Sequence, residues 1–557
     1  MHLVFTLLSA AILSAAAQQE PFSSQPTDQW TVFHHPIKRV AVIGAGPAGL
    51  KAAAEFLEHN FTVRLFDRAP QPGGNWFYTE ETPAREPYPD RPIDEEPYVP
   101  SDLPATRYFA EGEDGISLEE RWKRHWQPRP VWNSLHSNTP SVGTEITEVP
   151  YPPDTPWVLS AHQIQRHVRA YASLVNLNSN DYQTRSSVTA YSTRVEKLEK
   201  IESSHTWRLT LRRLERLSET HRIKVQWWTE EFDAVVIATG PYVSPHVPDI
   251  EGIVDWSKAT EAGRHSIYHS QSYRRPERYQ NKANASLTQV HPNFNSPQTV
   301  LVVGASVSAS EISRDIAPYA QKIFASIRPR KDGRRFRTLR RFPDEAEFIP
   351  EIARFEPLEA HDKGIKDGEV HLVNGTVLGG IDEVILATGF VTSVLFLPNF
   401  TADGQPADLH WSGLYIPDPT LGYTNVRPWT MGKYQSYLFA KVWEGTAHLP
   451  TLKEMRKVYD SGKYRHRVLP AEALVRQYVA WLNNESLENG GRFVESWPLV
   501  NREIYAYYLN VEWNETSSLK NFTDFEALPA REWWQFAGRQ ESVDEVWDAL
   551  VYPDQDW

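Results

Sequence analysis

Three glycines at fixed spacing, Gly44, Gly46 and Gly49, sit in "KRVAVIGAGPAGLKAAAEFLEHNFTVRLFDRA", with Ala45, Pro47 and Ala48 between them. Their chemistry is the handling of a nucleotide. Gly44 permits a tight turn, Gly46 lets a pyrophosphate approach the main chain, and Gly49 allows a helix to pack closely on a strand. The free N–H groups at the start of that helix attract phosphate. Asp67, closing "TVRLFD", is placed to accept hydrogen bonds from a ribose hydroxyl. A second stretch of the same rhythm is "VLVVGASVSASEISRDI", residues 300–316, where only Gly304 keeps its glycine and Ser306 and Ala309 replace the later ones. Two readings stand for it: a second nucleotide site, or a strand–helix unit that merely packs a sheet.

The elements that must position these residues follow from the pattern. Short apolar runs end at Gly44 and Gly304, and two more, "DAVVIATG" and "DEVILATG", end in Ala238-Thr239-Gly240 and Ala387-Thr388-Gly389. Continuous apolar strands of this kind suit a parallel sheet buried on both faces, with ligands at its carboxyl ends. The fold class expected is α/β, built from two doubly wound Rossmann-like dinucleotide-binding domains. A chain of 557 residues has room for two or three domains.

Composition removes several functions. A formal net charge of −13 argues against nucleic acid or an anionic membrane as partner. There is no cysteine, so no disulfide, thiolate nucleophile or Cys-pair electron relay exists. No metal-ligand cluster with convincing spacing is found, and no metal is expected. The opening "MHLVFTLLSAAILSAAAQQ" has the shape of a cleaved secretory signal over 1–17 and is too short for a comfortable transmembrane anchor. Acceptor sequons at Asn60, Asn284, Asn374, Asn399, Asn484, Asn514 and Asn521 agree with passage through the secretory pathway and N-glycosylation.

Further residues carry a family resemblance. After Asp67 comes "GGNW", with Gly74, Asn75 and Trp76, a sequel found in FAD enzymes; then "SLHSNTPS" places Ser137 and Asn138 before Pro140. With these motifs the chain resembles the flavin-containing monooxygenases over about residues 37–460. The resemblance implies that Asn138 is catalytic, donating a hydrogen bond that holds the oxygenated flavin and the nicotinamide in register. It implies cofactor contacts at Val195, Thr239, Gly240 and Gln435 besides the first turn, and makes the second turn, with Gly304, Ser308 and Ala309, a site for NADPH. Arg328, where other dinucleotide sites carry an acid, suits a 2′-phosphate, and Arg330, Lys331, Arg334 and Arg335 add to it. The family fingerprint F-x-G-x-x-x-H-x-x-x-Y is half kept: His269 and Tyr273 hold their places, while Gly263 and His265 replace the Phe and Gly. His269 is read as a linker at the domain boundary.

The layout implied is a signal peptide (1–17), a first FAD-binding part (36–250) with an insertion at 77–130, an NADPH-binding domain (251–380), a second FAD-binding part (381–460) and a helical extension (461–557). The activity implied is an FAD- and NADPH-dependent monooxygenase. It would form a flavin C4a-(hydro)peroxide and oxygenate an amine nitrogen or sulfide of a small molecule or peptide, in secondary metabolism, with dioxygen as co-substrate. The alternatives are a flavin oxidase or dehydrogenase with a vestigial second site, a Baeyer–Villiger-type monooxygenase, and a non-catalytic flavoprotein.

Overall fold

Alternate residues of a single strand serve two cores. In β1 (Arg39–Ile43), Val40 and Val42 pack toward helix α1 (Pro47–Glu58), while Ala41 and Ile43 pack toward an antiparallel sheet on the other side. The computed structural model describes residues 30–89, 97–178, 188–242, 244–261, 264–279, 298–329, 337–359, 364–402, 405–424, 429, 432–462, 471–498, 501 and 504–505. The leader at 1–17, the sequons at Asn284, Asn514 and Asn521, Gly263 and the basic residues from Arg330 to Arg335 lie outside them.

β1 pairs in parallel with β2 (Thr62–Phe66), Val42 opposite Leu65. The antiparallel sheet brings in β3 (Ala105–Phe109), which follows the 3-10 turn at Gly74–Trp76 and precedes helix α2 (Leu118–Trp126). Helix α3 (Ala161–Leu174) starts on a reciprocal cap: Ser160 Oγ accepts from Gln163 N, and Gln163 Oε1 accepts from Ser160 N at 2.9 Å. Then come β4 (Thr189–Ala190), β5 (Thr193–Ile201), β6 (Thr206–Leu217), β7 (Arg222–Phe232) and β8 (Ala234–Ile237). β8, β1, β2 and β4 are consecutive in a seven-stranded sheet completed by strands Leu409–His410, Leu414–Tyr415 and Leu421–Tyr423.

The second unit has five parallel strands in the order Ile267–His269, Glu383–Leu386, Thr299–Val303, Lys322–Ser326, Ala346–Ile349. Helix Val307–Ile316 covers one face, with Ala309, Ile312 and Ile316 packed on Val300 and Val302. One point of the layout expected from the sequence changes here. Strand Glu383–Leu386 lies inside the second sheet, so the return to the first unit falls after Leu386 rather than at 381. In the segment 77–130, β3 pairs with β7 and extends the sheet β3-β7-β6-β5 that covers the first unit. Helix Ala471–Asn489 lies in the C-terminal extension, of which 506–557 fall outside the described residues.

Candidate functional site

Gly44 takes φ +113°, and a Cβ there would stand 2.5 Å from Ala238 O. At Gly49 a Cβ would stand 1.8 Å from Gly44 O, so α1 rests directly on the turn. α1 starts at Gly46 with Pro47 behind it and no side chain capping it, which leaves its first N–H groups to a ligand. Gly44, Gly46, Pro47 and Ala48 line one elongated cavity at the carboxyl ends of the strands. Gly74, Asn75 and Trp76 line it too, as do Thr239 and Gly240, and Val195 from β5. Ala45 and Gly49 support the turn from behind: Ala45 N donates to Asp67 Oδ2 at 2.7 Å. Asp67 lines the cavity, and its Oδ1 accepts from Ala69 N at 2.7 Å and from Arg129 Nη2 at 3.1 Å.

Asn138 lines the same cavity, exposed to it, and its amide makes no hydrogen bond to the described residues. Its neighbour Ser137 is buried and fixes the loop, donating to Thr139 O at 2.9 Å and accepting from Leu159 N at 3.0 Å. Thr424 and Trp429 line the cavity as well, and their Oγ1 and Nε1, like Thr239 Oγ1, are buried without a partner among the described residues. Gln435 is placed differently from Asn138. It is fully buried outside the cavity lining, donating to Ser412 O at 2.9 Å and Tyr423 O at 3.3 Å, and thereby holds the strand that presents Thr424. Lys51 lies 5.8 Å from the centre of the Trp429 ring; burial, then Lys433, pushes its ammonium down to about 7.

The second turn repeats the first with Ser306 and Ala309 in place of the later glycines. Gly304 takes φ +139°, and a Cβ there would meet Ala387 O at 2.3 Å, as Gly44 would meet Ala238. Where Gly49 admits no Cβ, Ala309 carries one and is fully buried. Ser308 is half-buried on the same turn, and Arg328 is exposed just beyond strand Lys322–Ser326. His269 is fully buried between the units: Nε2 donates to Gly389 O at 3.0 Å, Nδ1 accepts from Gln271 N at 3.1 Å, and burial pushes it down to about 3. It is held neutral as a joint.

The sequence reading missed Arg68, Gln127, Arg129, Thr144, Thr424 and Trp429, all of which line the first cavity. They come from irregular segments with no periodicity or glycine spacing to mark them.

Residues 38–328 match the family model described as Pyridine nucleotide-disulphide oxidoreductase. Over 543 residues the chain is 33% identical to the flavin-containing monooxygenase iboF of Amanita muscaria, spanning 87% of this chain and 97% of the relative. The chain belongs to the flavin-containing monooxygenase family. A second relative, ustF2 of Aspergillus flavus, is 28% identical over 504 residues, 80% of this chain and 92% of its own. The fold is shared with the S-allyl-L-cysteine S-oxygenase of Allium sativum, at TM-score 0.58 and 20% identity over 90% of this chain and 99% of that one. It is shared also with Tmm of a Pelagibacter species, at TM-score 0.54 and 16% identity over 81% and 86%. The disulphide chemistry in the family model's description is closed to a chain without cysteine.

A flavin monooxygenase of this family uses FAD and a nicotinamide dinucleotide, and the residues fit the first of these well. The uncapped helix start suits a pyrophosphate and Asp67 suits a ribose, and Thr239, Thr424 and Trp429 line the same cavity with polar atoms that have no partner among the described residues. In the second unit, Gly304 and the start of helix Val307–Ile316 form the matching cradle.

Proposed function

We propose that this flavin monooxygenase takes NADPH as reductant and oxygenates an amine nitrogen or sulfide sulfur of a small molecule or peptide. The observation that carries the reading is Asn138: a free amide on the wall of the cavity that begins at the Gly44–Gly49 turn. Bound FAD supplies the chemistry, accepting hydride from the nicotinamide and reducing dioxygen. The chain's own residues do the rest. The α1 start holds phosphates, Asp67 accepts from ribose, and Asn138 donates a hydrogen bond at the reacting end. Leu395, Phe396 and Trp429 add apolar wall to the same cavity, and apolar wall beside a reacting centre helps keep water from it. Arg328 meets the 2′-phosphate that distinguishes NADPH from NADH. The balance is NADPH, H⁺, O₂ and substrate giving NADP⁺, water and the N- or S-oxide.

Turnover under ¹⁸O₂ with amines and thioethers tests this. One labelled oxygen in the product per NADPH consumed supports it. Hydrogen peroxide equal to the NADPH consumed, with no labelled product, makes the enzyme an oxidase; labelled esters from ketones make it a Baeyer–Villiger enzyme. The same proposal includes routing through the secretory pathway, supported by the leader at 1–17 and by the exposure of Asn60, Asn374, Asn399 and Asn484. A mass loss on glycosidase treatment of the native protein is expected, and an unglycosylated chain with its leader intact would overturn that part. A role in secondary metabolism follows if the substrate proves to be a specialised small molecule.

A further inference from the structure

Arg129 belongs to the 77–130 segment, which the family resemblance does not account for. We propose that Arg129 is a second recognition residue for the adenosine side of FAD, sharing with Asp67 the work of holding its ribose. The inference rests on the cavity being a flavin site but not on the oxygenation reaction.

A carboxylate oxygen accepts about two hydrogen bonds. Asp67 Oδ1 already accepts from Ala69 N at 2.7 Å and Arg129 Nη2 at 3.1 Å, while Oδ2 accepts from Ala45 N at 2.7 Å. One acceptor position is left, on Oδ2. Asp67 can therefore take a single ribose hydroxyl, and a vicinal diol has two. Arg129 carries the missing complement. Its Nε–H is buried with no partner among the described residues, its side chain is 10% exposed, and it lines the cavity. Nε–H lies on the same edge of the guanidinium as the Nη2 group that binds Asp67 Oδ1, so the unpartnered donor belongs to a side chain already paired with that carboxylate. A buried donor left without a partner costs free energy unless a ligand meets it.

The segment is built to aim this side chain. α2 ends at Trp126, and Gln127 N closes the helix on Lys123 O at 2.9 Å. Gln127 turns the chain with φ +49°, and its side-chain oxygen accepts from Arg68, another cavity residue. Arg129 O is then pinned by Val131 N at 2.9 Å and by Arg274 Nη2 at 3.2 Å.

The test is fluorescence titration of the deflavinated full-length protein with FAD and with FMN, which lacks the adenosine half. Arg129→Leu is expected to weaken FAD about ten- to a hundredfold and to leave FMN unchanged. Arg129→Lys should fall between, because an ammonium keeps charge near Asp67 but not the paired donors. An unchanged FAD affinity in Arg129→Leu overturns the proposal. So does an equal loss for FAD and FMN, which would make the residue purely structural. Should Arg129→Leu not fold, Arg129→Gln, with the apo protein's melting temperature measured alongside, reads the same ratio.

Discussion

Asn138 and Gln435 carry the same amide, and the family resemblance assigns both to the flavin. The structure separates them by burial: one amide is open to the cavity, the other is spent on main-chain oxygens. Asn138→Ala should therefore retain FAD while the yield of product per NADPH falls about tenfold, the difference appearing as hydrogen peroxide. Unchanged coupling would remove Asn138 from the reacting end. Arg328 is exposed just beyond its strand, so its loss should act on charge recognition only. Arg328→Ala is expected to weaken NADPH about ten- to a hundredfold and NADH not at all; equal losses would count against it. Both residues were legible in the sequence because a local motif marks each. Arg129 was not, since its partner Asp67 is remote in sequence and nothing around Arg129 has a recognisable spacing.

The elements show why one turn keeps three glycines and the other only the first. Gly49→Ala forces a Cβ to within 1.8 Å of a carbonyl oxygen in the turn that holds phosphate. It should yield protein without FAD and lower the melting temperature. Ala309→Gly relieves no clash and should cost only about 0.5–1 kcal/mol of helix stability, with NADPH binding intact. Calorimetry of both variants checks the contrast, which fails if the two behave alike. A second contact between elements is sensitive to pH. His59, closing α1, bonds Glu444 at the end of helix Gly432–Glu444 and Glu55 at 3.0 Å. The bond to Glu444 first, then that to Glu55, raises it from 6.5 to about 9. A group bound more tightly in its protonated form stabilises fully below its unfolded value, and that support is lost as pH rises through the folded value. Melting temperature should thus fall between pH 6.5 and 9, and His59→Gln should flatten that fall. The parallel strands and their helices were legible from apolar runs ending in glycine. The antiparallel sheet β3-β7-β6-β5 was not, because its strands mix charged and aromatic residues on a half-covered face and β3 lies far from β7 in sequence.

At the scale of the molecule, two doubly wound units must present a nicotinamide to a flavin, and one carboxylate joins the helix of the second unit to the loop that carries Asn138. Asp315, near the end of helix Val307–Ile316 in the second unit, accepts from Ser134 Oγ at 2.7 Å and from the hydroxyl of Tyr273. Ser134 is on the loop that ends at Asn138, and Asn133 N of that loop donates to Arg274 O at 2.9 Å. Tyr273 closes the half-kept fingerprint and Arg274 follows it, so a surviving residue of that motif helps tie the nucleotide helix to the Asn138 loop. Asp315 is a positioning residue: it reaches neither cofactor turn, but it sets where the second unit stands against Asn138. A displacement of about 1 Å between reacting centres can cost on the order of a hundredfold in rate. Asp315→Ala should leave the affinities for FAD and NADPH within about twofold and slow anaerobic reduction of the flavin by NADPH by about tenfold or more. Tyr273→Phe, which removes one of the two bonds and keeps the ring against Trp132, should slow it less. A change in NADPH affinity with an unchanged reduction rate would mean that the carboxylate supports the nucleotide turn alone and that the two units are aligned by His269 and its bond to Gly389.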